Sequence, residues 1–135
     1  MTQEQNDLLL RDLCARLPYK VKVQDIYYNS LEPAPIWLIA INAQNVRMFA
    51  DEGYQSIEYI KPYLFPLSSM TEEQKEELDK YFDVDSKFLI DGYKNGLRCP
   101  HPYFNVQDWY NKNHFDYRGL IPMGLAIDAT GKNIY

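Results

Sequence analysis

The sequence predicts an α+β fold: an N-terminal helix packed on a small, curved antiparallel sheet, meander or barrel-like, followed by a mostly helical C-terminal half. Three observations predict it. Residues 8–17 carry apolar side chains three and four apart, the spacing of one helix face. Residues 19–60 hold short alternating or β-branched runs separated by turn-forming residues. Residues 71–82 and 105–113 each open on a capping residue and continue with a helical apolar stripe. At 135 residues the chain has material for one core, so we expect a single globular domain over 1–135, with helix and sheet in 1–67 and helices and loops packed on it in 68–135.

Each element has its own justification. Thr2 and Gln5 form a capping box, Leu9, Leu10, Leu13, Cys14 and Leu17 form the stripe, and Pro18 stops the helix. Arg11 and Arg16 suit its C-terminal dipole, and Cys14 is expected on the buried face. In "YKVKV", Tyr19, Val21 and Val23 alternate with Lys20 and Lys22, which predicts a strand. "IYYNS" is a second strand, ended by "LEPAP". "IWLIAI" at 36–41 reads as a central strand with "VRMFA" at 46–50 as its hairpin partner through "NAQN", and "SIEYI" is a fifth segment.

Beyond the sheet, Pro62 and Pro66 restrict a connector that carries Tyr63, Leu64 and Phe65. The next helix is capped by Thr71 with Gln74, or by Ser69 with Glu72, and buries Leu78, Tyr81 and Phe82. Residues 83–104 read as a loop or loose hairpin with turns at Asp91-Gly92 and Asn95-Gly96. Asn105 caps a short helix over about 106–113 that buries Val106, Trp109 and Tyr110, with Phe104 stapled on Trp109. His114 closes it, where the dipole favours an imidazolium.

Charge narrows the function classes. The net charge of −5 sits in residues 71–85, which carry seven acids against two bases; elsewhere the signs balance. Without a basic field the main electrostatic drive for nucleic-acid binding is missing, although Lys20, Lys22 and the mildly basic 86–135 leave it as an alternative. The longest apolar run, "IWLIAI", is far short of the ~18 residues of a membrane span. The polar opening "MTQEQND" has no signal-peptide pattern, so a cytoplasmic location with reduced thiols is expected, and no Cys14–Cys99 disulfide. The glycines are scattered and form no phosphate-binding loop.

Chemistry has few groups to draw on. Nucleophilic catalysis would use Cys99 with His101 or His114 as base and Asp116 as orienting acid, but Pro100 stiffens the local geometry. Two Cys and two His are enough for zinc in number, yet they lack the close paired spacing of a structural site. The stretch "DVDSKFLIDGYK" fails as a calcium loop at Lys87, Phe88 and Lys94. The glutamates of 72–77 are accounted for by the helix dipole. No metal, cofactor or catalytic residue is therefore assigned. In "HFDYRGLI", an extended backbone sets His114, Asp116 and Arg118 on one face and Phe115 and Tyr117 on the other. An Asp116–Arg118 ion pair would organise it. Phe115, Tyr117 and Arg118, with Tyr63 and Phe65, are the candidate binding residues; the alternative is that they anchor the C-terminal segment to the domain.

"LLLRDLCARLPY" at 8–19, "YIKPYLFPLSSMTEEQKEEL" at 59–78 and "DWYNKNHFDYRGLIPMGLAID" at 108–128 resemble segments of a family of short uncharacterised proteins. That family is common in gut Bacteroides-type bacteria and their phages and mobile elements. The resemblance covers about 40% of the chain, leaves out Cys99 and His101, and implies genomic context: a small accessory or interaction protein. The expectation is a non-enzymatic domain that binds a protein partner through its aromatic C-terminal third. A cysteine/histidine enzyme and a nucleic-acid-associated factor are the alternatives.

Overall fold

The computed structural model describes residues 1–27, 33–35, 38–41, 46–50, 53–80 and 106–135. Helix α1 spans Gln3–Arg16, and its capping box forms as the sequence dictates: Gln5 N–H donates to Thr2 Oγ1 at 3.1 Å, and Thr2 N–H donates to Gln5 Oε1 at 3.0 Å. A 3-10 turn over Leu17–Tyr19, with Pro18 near its start, leads into the strands.

Two sheets follow. One has the order β2 (Ala34–Pro35), β1 (Lys22–Asp25), β6 (Ile60–Leu64), β7 (Ile127–Asp128); the other is the meander β3 (Leu38–Ile41), β4 (Val46–Ala50), β5 (Gly53–Ser56). The predicted hairpin is present, with Leu38 opposite Phe49 and Ile41 opposite Val46. The fifth segment resolves into β5, a 3-10 turn over Ile57–Tyr59 and β6. Of "IYYNS", Ile26 and Tyr27 form a turn and the remaining three residues lie outside the described ones. The first sheet is mixed and not purely antiparallel, because β7 joins β6 in parallel with Tyr63 opposite Ile127.

Pro62 sits inside β6 without breaking it. Tyr59 C=O accepts from Ile26 on the β1 side and Leu64 C=O accepts from Ala129 on the other, so backbone groups of odd-numbered residues face β1 and those of even-numbered residues face away. Pro62 therefore lies opposite Val23 at a position where β1 needs no N–H.

Residues 72–80 form helix α2, closed at its start by Thr71 and Gln74: Gln74 N–H donates to Thr71 Oγ1 at 3.2 Å, and Thr71 N–H to Gln74 Oε1 at 2.9 Å. Leu78 is buried; Tyr81, Phe82, the loop 83–104 and the Asn105 cap with its Phe104 staple lie outside the described residues. Helix α3 is Val106–Lys112, with Trp109 buried. After it the chain is not helical: residues 113–135 run as turns and β7.

The main core joins Leu9 and Leu13 of α1 to Val21 just before β1, to Val23, Ile60 and Leu64 of the sheet and to Leu120, Leu125 and Ala126 of the C-terminal segment. Each such leucine contributes about 1.5–3 kcal/mol by leaving water. A smaller cluster packs Leu78, Trp109 and Phe115 together, with Phe65, Met70, Val106 and Tyr110 around them. One expectation for α1 is corrected: Cys14 is exposed. The face turned inward is Leu9, Asp12, Leu13 and Arg16, which places Cys14 a further 100° round the helix, toward water.

Candidate functional site

The residues around the end of α3 are positioned by backbone geometry. His114 N–H bonds Asn111 C=O at 3.2 Å and Phe115 N–H bonds Tyr110 C=O at 3.0 Å, while His114 itself is left-handed at φ 61°. This is a Schellman helix ending with histidine where glycine is usual. Its apolar contact is present as well: Phe115 stacks on Trp109, with ring centroids 5.6 Å apart and planes 10° apart. The next residues are then held by β6, because Phe65 N–H bonds His114 C=O and Asp116 N–H bonds Phe65 C=O, each at 2.8 Å.

Beside this ending lies a buried charge cluster. Arg16 donates from Nε to Asp12 Oδ2 at 2.7 Å and from Nη2 to Asp12 Oδ1 at 3.1 Å, and both residues are fully buried. Arg16 Nη2 also donates to Phe115 C=O at 2.6 Å, tying α1 to the C-terminal segment. Arg118 Nε stands 3.3 Å from the same Asp12 carboxylate. Two guanidinium groups thus share one partner carboxylate.

Tyr117 sits among them. Its ring centroid is 5.4 Å from the Arg16 guanidinium carbon and 4.9 Å from that of Arg118, and its hydroxyl accepts from Arg118 Nη2 at 3.0 Å. Its ring stacks on Tyr110, with centroids 5.3 Å apart. Tyr110, Tyr117 and Arg118 are all half-buried.

The expected Asp116–Arg118 ion pair is replaced by other partners. Asp116 accepts from Leu120 N–H and Ile121 N–H at 2.8 Å each, closing the turn in which Gly119 adopts φ 75°. A carboxylate so engaged is a structural cap. The Asp12 carboxylate takes Arg118 in its place.

His114 differs from its expected charge state. Burial pushes its pKa down to about 4, with the Arg16 and Lys22 cations adding to the effect. Its Nδ1 is buried without a hydrogen-bond partner among the described residues, which suits a neutral ring and not an imidazolium. The ring stacks on Tyr135, centroids 3.7 Å apart and planes 10° apart. Desolvation therefore outweighs the helix dipole.

The binding candidates divide by exposure. Phe115 is 1% exposed and Tyr63 7%, so both are interior; Phe65, Tyr117 and Arg118 are half-buried. The structure brings Phe65 to Phe115 at 6.2 Å and Tyr117 to Arg118. Cys99 and His101 lie outside the described residues. Cys14 is exposed, and partial desolvation pushes its thiol up, away from the nucleophilic thiolate. Among the described residues no three His, Cys, Asp or Glu side chains gather to hold a metal ion, and no helix is long and apolar enough to cross a membrane.

Sequence reasoning passed over Asp12 and Tyr135, and it read Arg16 as a partner of the helix dipole, Tyr110 as a buried helix residue and Lys22 as one of a strand's basic residues. Asp12 and Arg16 had a signal: they are four apart and interleave with Leu9 and Leu13 on one face, which marks a buried ion pair. Tyr135 had none. Comparisons with protein-family models, curated proteins and solved structures find no match to this chain.

Proposed function

We propose that the protein is a non-enzymatic accessory domain of phage or mobile-element kind that binds a protein partner through Tyr110, Tyr117 and Arg118. The observation that carries this reading is the incomplete pairing of Arg118 among the described residues: it shares the Asp12 carboxylate with Arg16 and lies over a half-buried tyrosine. Arginine and tyrosine side chains of this kind dominate the energetics of protein interfaces. An acidic side chain of the partner would complete the charge pairing, so the reading specifies a carboxylate-bearing surface.

Two of the catalytic candidates, Asp116 and His114, are engaged in holding the fold: Asp116 caps a turn and His114 stacks on Tyr135. The resemblance at 8–19, 59–78 and 108–128 supports the accessory role.

Affinity capture from host lysate, run in parallel with the wild-type chain and Arg118→Ala, tests this. A specific protein should be retained by the wild type and lost, by at least about tenfold, with the variant, while thermal unfolding shows the variant still folded. Equal retention by both chains, or no specific protein at all, overturns it. Alkylation of the native protein addresses the cysteine enzyme: a Cys99 thiol with a strongly lowered pKa would favour that alternative.

A further inference from the structure

Strands β1 and β6 pair Val23 with Pro62, Gln24 with Lys61 and Asp25 with Ile60. One further step of that register sets Lys22 opposite Tyr63. Ile26 N–H bonds Tyr59 C=O, and hydrogen-bonded pairs alternate in an antiparallel ladder, so Lys22 and Tyr63 are due a direct bond. A phenol oxygen stands there instead. Lys22 N–H donates to the Tyr135 hydroxyl at 2.9 Å, and that hydroxyl donates to Tyr63 C=O at 2.8 Å.

The ring is recognised as fully as its oxygen. His114 stacks flat on it, Phe65 meets it at a centroid distance of 6.0 Å, and Lys22 Nζ lies 5.9 Å from its centroid. Lys22 Nζ also donates to Ile134 C=O at 2.8 Å. A donor and an acceptor for one hydroxyl, a flat face for the ring and a cation near it together specify a para-substituted phenol.

The segment that delivers Tyr135 is joined to the sheet by Ala129 N–H bonding Leu64 C=O at 2.8 Å, and its remaining backbone bonds are local, Thr130 N–H to Asp128 Oδ1 at 2.8 Å and Lys132 N–H to Ala129 C=O at 3.2 Å; residues 130–133 are exposed, with Gly131 at φ 72° and Asn133 at φ 56°. Tyr135 itself keeps 43% of its surface in solvent while its hydroxyl lies between the strands.

We propose that the open end of the β1–β6 ladder is a binding site for a phenolic ring, filled in this structure by the chain's own Tyr135 acting as a displaceable plug. The site shares no residue with Tyr110, Tyr117 and Arg118 and does not rest on the partner-binding reading.

The test uses the full chain with Tyr135→Ala, titrated with p-cresol, with toluene and with the tetrapeptide Lys-Asn-Ile-Tyr, and followed by NMR at the Lys22 amide and the His114 ring. p-Cresol should shift both signals saturably, and toluene should bind at least about tenfold more weakly, because it leaves the Lys22 N–H and Tyr63 C=O unpaired. Tighter binding of the tetrapeptide would make the ligand a polypeptide tyrosine; tighter binding of p-cresol would make it a free phenol. The wild type should respond more weakly than the variant, because the plug competes. No saturable shift in the variant, or an equal shift in wild type and variant, overturns the proposal. If Tyr135→Ala does not fold, Tyr135→Phe decides: it keeps the ring, and the Lys22 amide should exchange with solvent at least about tenfold faster. Unchanged exchange overturns the proposal.

Discussion

His114 shows how one residue can satisfy backbone and packing demands that pull against each other. Its left-handed conformation is one that glycine adopts without strain, and for another residue it costs about 1–2 kcal/mol. The histidine is retained there with its ring against Tyr135, a contact glycine lacks. The neutral state this imposes has a pH signature. The ring's ordinary pKa is 6.5 and its folded value is about 4, so between these the unfolded chain holds the extra proton. Its contribution to stability is complete above 6.5 and is lost as pH falls toward 4. A single proton limits the slope to at most ~1.4 kcal/mol per pH unit. Urea unfolding midpoints across this window should fall more steeply for the wild type than for His114→Asn; parallel declines would remove His114 as the cause.

Among the elements, α1 carries an arrangement that its periodicity alone does not disclose. Its buried face alternates leucines with a salt-bridged pair, and removing one member of such a pair strands a charge at a cost of about 3–5 kcal/mol. Arg16→Met should therefore destabilise by that amount in chemical denaturation. The double variant Asp12→Leu, Arg16→Met should cost clearly less than the sum of the two single changes, and additivity would show that the pair is not coupled. The sequence made α1, both capping boxes, the β3–β4 hairpin and α3 legible, because each rests on neighbours within a few residues. β7, the parallel pairing and the seat of the Tyr135 hydroxyl between Lys22 and Tyr63 were not legible, because they join residues more than sixty positions apart. Arg118 was singled out from sequence, but with Asp116 as its partner; its true neighbour, Asp12, lies on the first helix.

At the scale of the whole molecule, residues 113–118 join the two apolar clusters. Phe115 packs in the smaller one, its carbonyl receives Arg16 from α1, and its neighbours bond Phe65 at the end of β6. Phe115→Ala should therefore cost about 3–5 kcal/mol and lower the cooperativity of unfolding. Differential scanning calorimetry checks this; a small, symmetric shift in Tm would show that the clusters unfold together without it. The Arg16 to Phe115 bond also has a bearing on synthesis. A ribosome delivers the helix that bears Asp12 and Arg16 about a hundred residues before the carbonyl and the leucines that cover it. The buried face of the first helix consequently stays half wrapped until the segment around Leu120 has left the exit tunnel.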